Sequence, residues 1–422
     1  MSLEDYRSEL EVCRRCSCCK FIPFEKVTGL AHANICPSIT KYDFHAYCAG
    51  GRLVNASAVL EGQLDITDKY MDVVYKCNMC GGCDTSCKYA MDMEVLDPLI
   101  EIRNSCVETG HTHPALDKVI ARLRATGSML PGNPAKRGEW AEGLDIKDCT
   151  KEKVDVVFHV GCQTSFNREM WGLARTTAKI LQKAGVDFGI AKDSETCCGG
   201  RAYEMGYKDD FMAQAEKNME IIRNSGATML VTDCANCYQA FRVLYDRYGF
   251  KGELKVMHIT EYIDQLIKEG KLVPTKPVNM VVTYHDPCHL GRMGEPIIPW
   301  EGKEVLGTIR TFDPPREYRR GTYGVYEIPR DIIKSIPGMR LVEMDRIKEY
   351  AWCCGAGGGV TETNPDFAAA TAQERITEAE ETGASAIVTA CPWCIKNFKD
   401  SIAASGSKLE VYDIIEILDM AL

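Results

Sequence analysis

From Lys153 to Leu422, short apolar runs alternate with stretches whose apolar residues recur every three or four positions. The runs at 154–160, 228–232, 280–284 and 385–389 are rich in Val, Ile, Leu and Thr and bounded by turn residues, which predicts strands buried on both faces of a parallel sheet. Segments 209–224 and 366–382 carry the helical period and predict amphipathic helices. This order occurs twice, and a Gly-Ala pair (226–227 and 383–384) precedes the later strand in each copy. Before Lys153 the pattern differs. Residues 1–110 show little strand signal, and residues 111–153 read as a helix near 115–125 followed by a linker holding Gly127, Pro131, Gly132 and Pro134. The chain thus divides into 1–110, 111–153 and a duplicated α/β half, 154–275 and 276–422. The expected class is α+β multi-domain, with a mainly helical N-terminal part.

Composition narrows the picture through cysteine. The chain has 422 residues, 45% of them hydrophobic, and 22 are cysteines. Small secreted domains use cysteine for disulfides because their cores are small. A chain of this length has no such need, and its cysteines sit in C-x-x-C units that suit metal. Residues 1–10 carry charges and no apolar core of a signal peptide, and no stretch approaches the roughly 20 apolar residues of a membrane span. The expected location is therefore a reducing cytoplasm, with any membrane association supplied by a partner. A formal charge of −10 argues against a nucleic-acid partner.

Ten of the cysteines repeat a pattern twice. Cys162, the adjacent pair Cys197-Cys198, and the C-x-x-C pair Cys234 and Cys237 form one copy; Cys288, Cys353-Cys354, Cys391 and Cys394 form the other. From adjacent pair to C-x-x-C there are 35 intervening residues in one copy and 36 in the other. Cysteines at the C-terminal ends of predicted parallel strands are well placed for a shared site. Thiolates in this number hold iron–sulfur centres, and such centres move electrons. Nearer the N-terminus, Cys77, Cys80, Cys83 and Cys87 match C-x2-C-x2-C-x3-C, the bacterial ferredoxin run for a cubane [4Fe–4S] cluster. Cys13, Cys16 and Cys19 form a looser copy, followed by Cys36-Pro37 after 16 residues where three are usual. In two-cluster ferredoxins the fourth cysteine serves the other cluster, so the expected sets are Cys13, Cys16, Cys19 with Cys87, and Cys77, Cys80, Cys83 with Cys36. Cys48 is a rival to Cys36. Cys18, Cys106 and Cys149 read as ordinary small thiols.

The strings Cys197-Cys198-Gly199-Gly200, His285-Asp286-Pro287-Cys288-His289-Leu290-Gly291-Arg292 and Cys353-Cys354-Gly355 resemble the paired cysteine-rich CCG domains found in the B-type and D-type polypeptides of heterodisulfide reductase and their relatives. As a whole the chain resembles the D-type polypeptide, in which a two-cubane ferredoxin-like domain is fused to a CCG pair. The resemblance spans nearly all of residues 1–420 and rests on eighteen cysteines. It implies that each five-cysteine set holds a noncubane [4Fe–4S] cluster, that the two clusters face each other across a disulfide substrate, and that the ferredoxin-like domain feeds electrons in singly. Relatives with CCG pairs also carry electrons inside larger assemblies, including class II benzoyl-CoA reductase complexes, and occur beside flavin dehydrogenases. The expected partners are accordingly other redox subunits, flavin- or iron–sulfur-containing, with a small disulfide as the alternative substrate.

Plainer readings stand beside these. Zinc takes four ligands where each C-terminal set offers five, so zinc in one of those sets is the minor alternative. Residues 355–359 (GAGGG) follow Cys354 without opening a βαβ fingerprint, and read as a tight turn around a cluster. His285, Asp286, His289 and Arg292 flank Cys288; they suit proton supply to a departing thiolate, whereas the plainer role of His285 and Asp286 is to cap the strand end. Trp352 and Trp393 adjoin ligands and pack around a cluster. Cys288 to Cys353 spans 64 residues against 34 from Cys162 to Cys197, and the excess reads as an insertion near 293–323, either a surface excursion or a surface over the second cluster for a partner or substrate.

Overall fold

The computed structural model describes residues 2–306, 310–317 and 320–422. The N-terminal part is helical. Its principal helices are Ala49–Leu60, Asp68–Tyr75, Gly82–Met91, Leu96–Glu108 and Pro114–Thr126. Cys77 and Cys80 lie on the turn between Asp68–Tyr75 and Gly82–Met91, where Met79 and Gly81 take positive φ (51° and 73°) and wrap the backbone tightly, and Cys83 follows in the first turn of Gly82–Met91.

The duplication is visible in the sheets. Strands β1 (Lys147–Asp148), β2 (Val156–His159), β3 (Phe188–Ile190), β4 (Met229–Thr232) and β5 (Lys255–His258) form a parallel sheet in the order β1-β3-β2-β4-β5. After β6 (Met280–Tyr284), the strands β7 (Lys303–Leu306) and β8 (Arg310–Asp313) make a separate antiparallel hairpin. Strands β9 (Met339–Leu341), β10 (Ala386–Thr389) and β11 (Glu410–Asp413) complete a second parallel sheet, β11-β10-β6-β9. Reading β3-β2-β4-β5 against β9-β6-β10-β11 gives the same order, so the two halves share one topology. The apolar runs become β2, β4, β6 and β10, and the two periodic segments become the helices Lys208–Ser225 and Pro365–Glu381. The class is α+β with two cysteine-rich α/β units. The segment read as linker contributes β1, whose Lys147 and Asp148 pair with Gly189 and Ile190; two residues with no apolar run gave no strand signal.

The predicted insertion contains the β7–β8 hairpin, and its residues 307–309 and 318–319 lie outside the described residues. It rests on the N-terminal part: Arg320 pairs with Asp92 at 2.5 Å, and the Ser8 hydroxyl meets Glu304 at 3.4 Å. Buried Glu295 accepts from the backbone N–H groups of Gly321 and Tyr323, closing the excursion at its base.

Arg103 joins the three segments. Its side chain is fully buried and donates to the carbonyls of Val74 and Cys77 in the N-terminal part, Glu204 in the first α/β unit and Gly358 in the second (3.2, 2.8, 2.9 and 2.6 Å). A planar guanidinium spreads five donors over three nitrogens and so spans carbonyls from separate segments, whereas an ammonium's three donors radiate from one atom. Arg103→Leu should leave these carbonyls without their donor and destabilise the fold by more than about 3 kcal/mol, with Arg103→Lys recovering only part. Anoxic urea denaturation checks this; a loss within experimental error would show that the segments are held together by other contacts.

Candidate metal centres

Each set of thiols is assembled by strand or helix ends. Cys162, Cys234, Cys288 and Cys391 follow β2, β4, β6 and β10 at their C-terminal ends, where parallel strands deliver side chains to one edge of the sheet. The adjacent pairs come from the turns after Thr196 and Trp352. Gly199 and Gly355, at φ 79° and 92°, reverse the chain there, and Phe211 and Ala368 leave no room for a side chain at either.

In the first α/β unit the free thiols are neighbours in series, Cys162 beside Cys197, Cys197 beside Cys198, and Cys198 beside Cys237, which meets Cys234. In the second, Cys288 lies beside Cys353, Cys353 beside Cys354, and the Cys354 and Cys394 sulfurs lie 3.2 Å apart, with Cys391 against Cys394. Cys234 touches Cys391, so the two sets meet. Nine of these ten thiols are buried, and Cys288 alone is half-buried. Hydrogen bonding to Cys197 and burial push the Cys162 thiol well above its usual range, and Cys353 is pushed up by its bonds to Cys288, Cys354 and Cys80. Thiols crowded in this way resist ionising without a cation, and metal binding removes their protons.

The N-terminal thiols line two cavities. One cavity is lined by Cys13, Cys16, Cys19 and Cys87, another by Cys36, Cys77, Cys80 and Cys83. Cys48 lies with the first group, bonded to Cys19 and 3.7 Å from His45, away from the cavity that Cys36 lines. Cys18 contacts Cys16 but lines a groove outside the cavity, and Cys106 and Cys149 sit in apolar cores. The second N-terminal group reaches the C-terminal half directly: Cys80 bonds Cys353, and that bond holds the Cys80 thiol down at about 6.

The residues around Cys288 play distinct parts. His289 Nδ1 is 3.2 Å from the Cys288 sulfur, and its Nε2 bonds Glu204 of the first α/β unit. Burial opposes protonation of His289, but Glu204 and Cys288 outweigh it and hold its pKa well above the usual range. Cys288 itself is drawn down to about 7, first by its bond with Cys353 and then by His289. Asp286 faces elsewhere. It takes both Nη atoms of Arg330 (2.7 and 2.9 Å) and the Lys348 N–H (2.8 Å), which caps the strand end. His285 packs edge-on against Phe398, accepts from Arg375 at 3.2 Å, and lies with Cys354 and Cys394 in a trio whose ligand atoms are within 4.8 Å of one another. Within the second set its neighbours are thus Cys354 and Cys394 rather than Cys288. Arg292 donates to the carbonyls of Cys80, Glu349 and Ala351. A cleft beside the second set is lined by Cys288, Cys354, Cys391 and Cys394 together with Arg201, Glu204, Asn236 and Trp393, with Arg201 stacked 4.0 Å from the Trp393 ring.

Glu204, Arg201 and Arg137, whose Nη2 is 3.6 Å from the Cys162 sulfur, were missed by sequence reasoning. For Arg201 and Glu204 the available signal was weak, charged residues shortly after a Cys-Cys-Gly-Gly turn in a segment otherwise fit for burial, and for Arg137 there was none. Trp352 is buried against Arg346, 4.2 Å from its ring, and donates to the Thr371 carbonyl.

The cysteine-rich CCG domain family matches residues 156–242 and 316–399. The D-type polypeptide of the dihydromethanophenazine:CoB–CoM heterodisulfide reductase from Methanosarcina barkeri is 31% identical over 428 residues, covering 98% of this chain and 94% of its own length. The chain belongs to the D-type family of heterodisulfide reductase polypeptides. More distant members of the group it falls in are longer proteins. The probable iron–sulfur-binding oxidoreductase FadF of Bacillus subtilis is 30% identical over 82% of this chain and 46% of its own length. The EtfAB:quinone oxidoreductase of Syntrophomonas wolfei is 26% identical over the same shares. The chain is thus of the iron–sulfur electron-transfer type, and its cysteine-rich domains support iron–sulfur clusters as cofactors. Among the described residues no helix is long and apolar enough to cross a membrane.

If each N-terminal group holds one cluster, Cys36→Ser should remove one cluster from the anaerobically purified protein, about four irons of sixteen, while Cys48→Ser leaves the count unchanged. Iron and sulfide analysis on the two variants decides it, and the opposite pattern would exchange the roles of the two cysteines.

Proposed function

We propose that this chain is a four-cluster electron relay within a multi-subunit anaerobic oxidoreductase complex. Cys13, Cys16, Cys19 and Cys87 would hold one cubane [4Fe–4S] cluster and Cys36, Cys77, Cys80 and Cys83 the other. The sets built on Cys162, Cys197, Cys198, Cys234, Cys237 and on Cys288, Cys353, Cys354, Cys391, Cys394 would hold the noncubane pair. The observation that carries this reading is the unbroken run of thiol contacts from Cys80 through Cys353, Cys354, Cys394 and Cys391 to Cys234 and the first set. Bound clusters would supply one-electron transfer. The chain's own residues keep the sets adjacent, exclude water from nine of the ten C-terminal thiols, and place buried Arg137 and Arg292 beside them to offset negative charge. The partner at one end is another redox protein of the complex, such as a module of a class II benzoyl-CoA reductase.

A second reading has its own observation. The cleft at half-buried Cys288, with His289 and Glu204 at its wall, suits reduction of a disulfide beside the second set. The relative from Methanosarcina barkeri is named for that reaction.

Two measurements on the reconstituted chain separate these. In the relay, rapid reduction should appear first in the N-terminal sets and then in the C-terminal ones, and Cys77→Ser with Cys83→Ser should stop it at the first set while leaving that set reducible. Arrival at the C-terminal sets unaffected by those substitutions would sink the relay order. Reduction of small disulfides by the chain alone, abolished by Cys288→Ala, would establish the second reading.

A further inference from the structure

The 16 residues between Cys19 and Cys36 are far more than a compact ferredoxin motif uses, and they build a surface. The segment is a closed loop. Ile22 donates to the Ala33 carbonyl at 2.8 Å, Ile35 to Lys20 at 2.9 Å, and Phe21 bridges Asn34. It is fastened to the second α/β unit at its middle and along its returning arm: Thr28 donates to the Asp345 carbonyl, His32 pairs with Glu381 at 2.7 Å, and Arg346 donates to the Asn34 carbonyl. A pinned loop of this kind presents its side chains in fixed positions. What it presents is apolar. Phe21, Phe24, Val27 and Leu30 line a groove of about 650 Å³ that ends at Cys16 and Cys18.

Three features identify the occupant. Phe24 and Leu30 are 91% and 85% exposed, although a pocket built for a small molecule covers its lining residues. Large side chains left this bare mark a surface that another protein covers. The groove is concave, which suits a projecting side chain and not a flat bilayer. At its inner end Cys16 is the single exposed thiol among the described residues. Exposed Arg14 and Arg15 lie beside it and line the adjoining cavity of Cys13, Cys19 and Cys87, with half-buried Lys20 nearby in the chain. No carboxylate pairs with either arginine among the described residues. On a chain of formal charge −10, this local positive charge next to the groove orients an approaching anion toward Cys16.

We propose that this groove is the docking surface for a small acidic redox protein, which inserts an apolar side chain between Phe24 and Leu30 and sets its cofactor edge against Cys16. The proposal rests on the relay reading. One electron leaves the partner's cofactor and reduces the centre that Cys13, Cys16, Cys19 and Cys87 would hold; no bond is made or broken and no proton moves.

The experiment uses the full chain with clusters reconstituted, and a purified acidic bacterial ferredoxin as probe. Binding is measured by calorimetry across ionic strength, and reduction by stopped flow. Phe24→Ser with Leu30→Ser should weaken binding on the order of tenfold or more. Arg14→Glu with Arg15→Glu should slow association on the order of tenfold at low salt and flatten its salt dependence. Iron content and reduction by methyl viologen should stay at wild-type values in Phe24→Ser with Leu30→Ser, and iron is measured in the arginine variant so that its rates are read per intact centre. Equal binding and equal rates across the three proteins would overturn the docking surface. So would binding to phosphatidylglycerol vesicles in place of ferredoxin, lost on Phe24→Ser with Leu30→Ser, which would assign the face to a membrane. The relay reading fails separately, if viologen electrons enter the N-terminal sets and never reach the C-terminal ones.

Discussion

A buried guanidinium at position 103 sets the distance between the parts of this molecule. Its partners are backbone carbonyls from all three segments, so the N-terminal helices and the two α/β units can be brought together only in the arrangement that satisfies it. The carbonyl of Cys77 and that of Gly358 are among those partners, and Asn78 donates to Gly355 at 2.9 Å. The contact of Cys80 with Cys353 follows from that docking. Had the interface been merely apolar, the two thiol groups would have been free to slide apart by a residue or more, because apolar surfaces fix area better than register.

Buried arginines also stand beside the C-terminal thiol sets and the second N-terminal group. Arg137 lies against Cys162, Arg292 bridges the Cys80 carbonyl to those of Glu349 and Ala351, and Arg375 sits behind His285 next to Cys354. Each is buried, and burial of a permanent cation is costly unless negative charge faces it. Glu195 faces Arg137 at 3.0 Å and Glu378 faces Arg375 at 2.7 Å, while Arg292 lies among the Cys80, Cys288 and Cys353 thiols. The interior thus sets buried cations and their carboxylate partners around the thiols, and in the proposed relay that charge would tune how readily each site accepts an electron.

Much of this was legible in the sequence because it is local. Runs such as 280–284 carry their own strand signal, the two five-cysteine patterns repeat at nearly fixed spacing, and the ferredoxin run at Cys77 names its ligands by distance along the chain. What was not legible depends on segments that meet only after folding. Glu204 and His289 come from different α/β units, and nothing in either local string announces the other. Asp286 next to Cys288 reads as a candidate acid until Arg330 and the Lys348 amide are seen to occupy both its oxygens. The loop after Cys19 reads as an oversized gap; its use appears only when it is found fastened to Asp345 and Glu381.

Exposure is distributed unevenly along the run of thiols, and this has a bearing on how the molecule fails. Cys16 stands at the surface while the C-terminal sets are sealed but for Cys288. Oxidation of sulfur follows access. In the proposed relay, air would strike at the outermost site first and break the supply of electrons before it reached the inner ones. In that sense Cys16 would serve as a fuse, whose early loss isolates the deeper thiol sets while they are still intact.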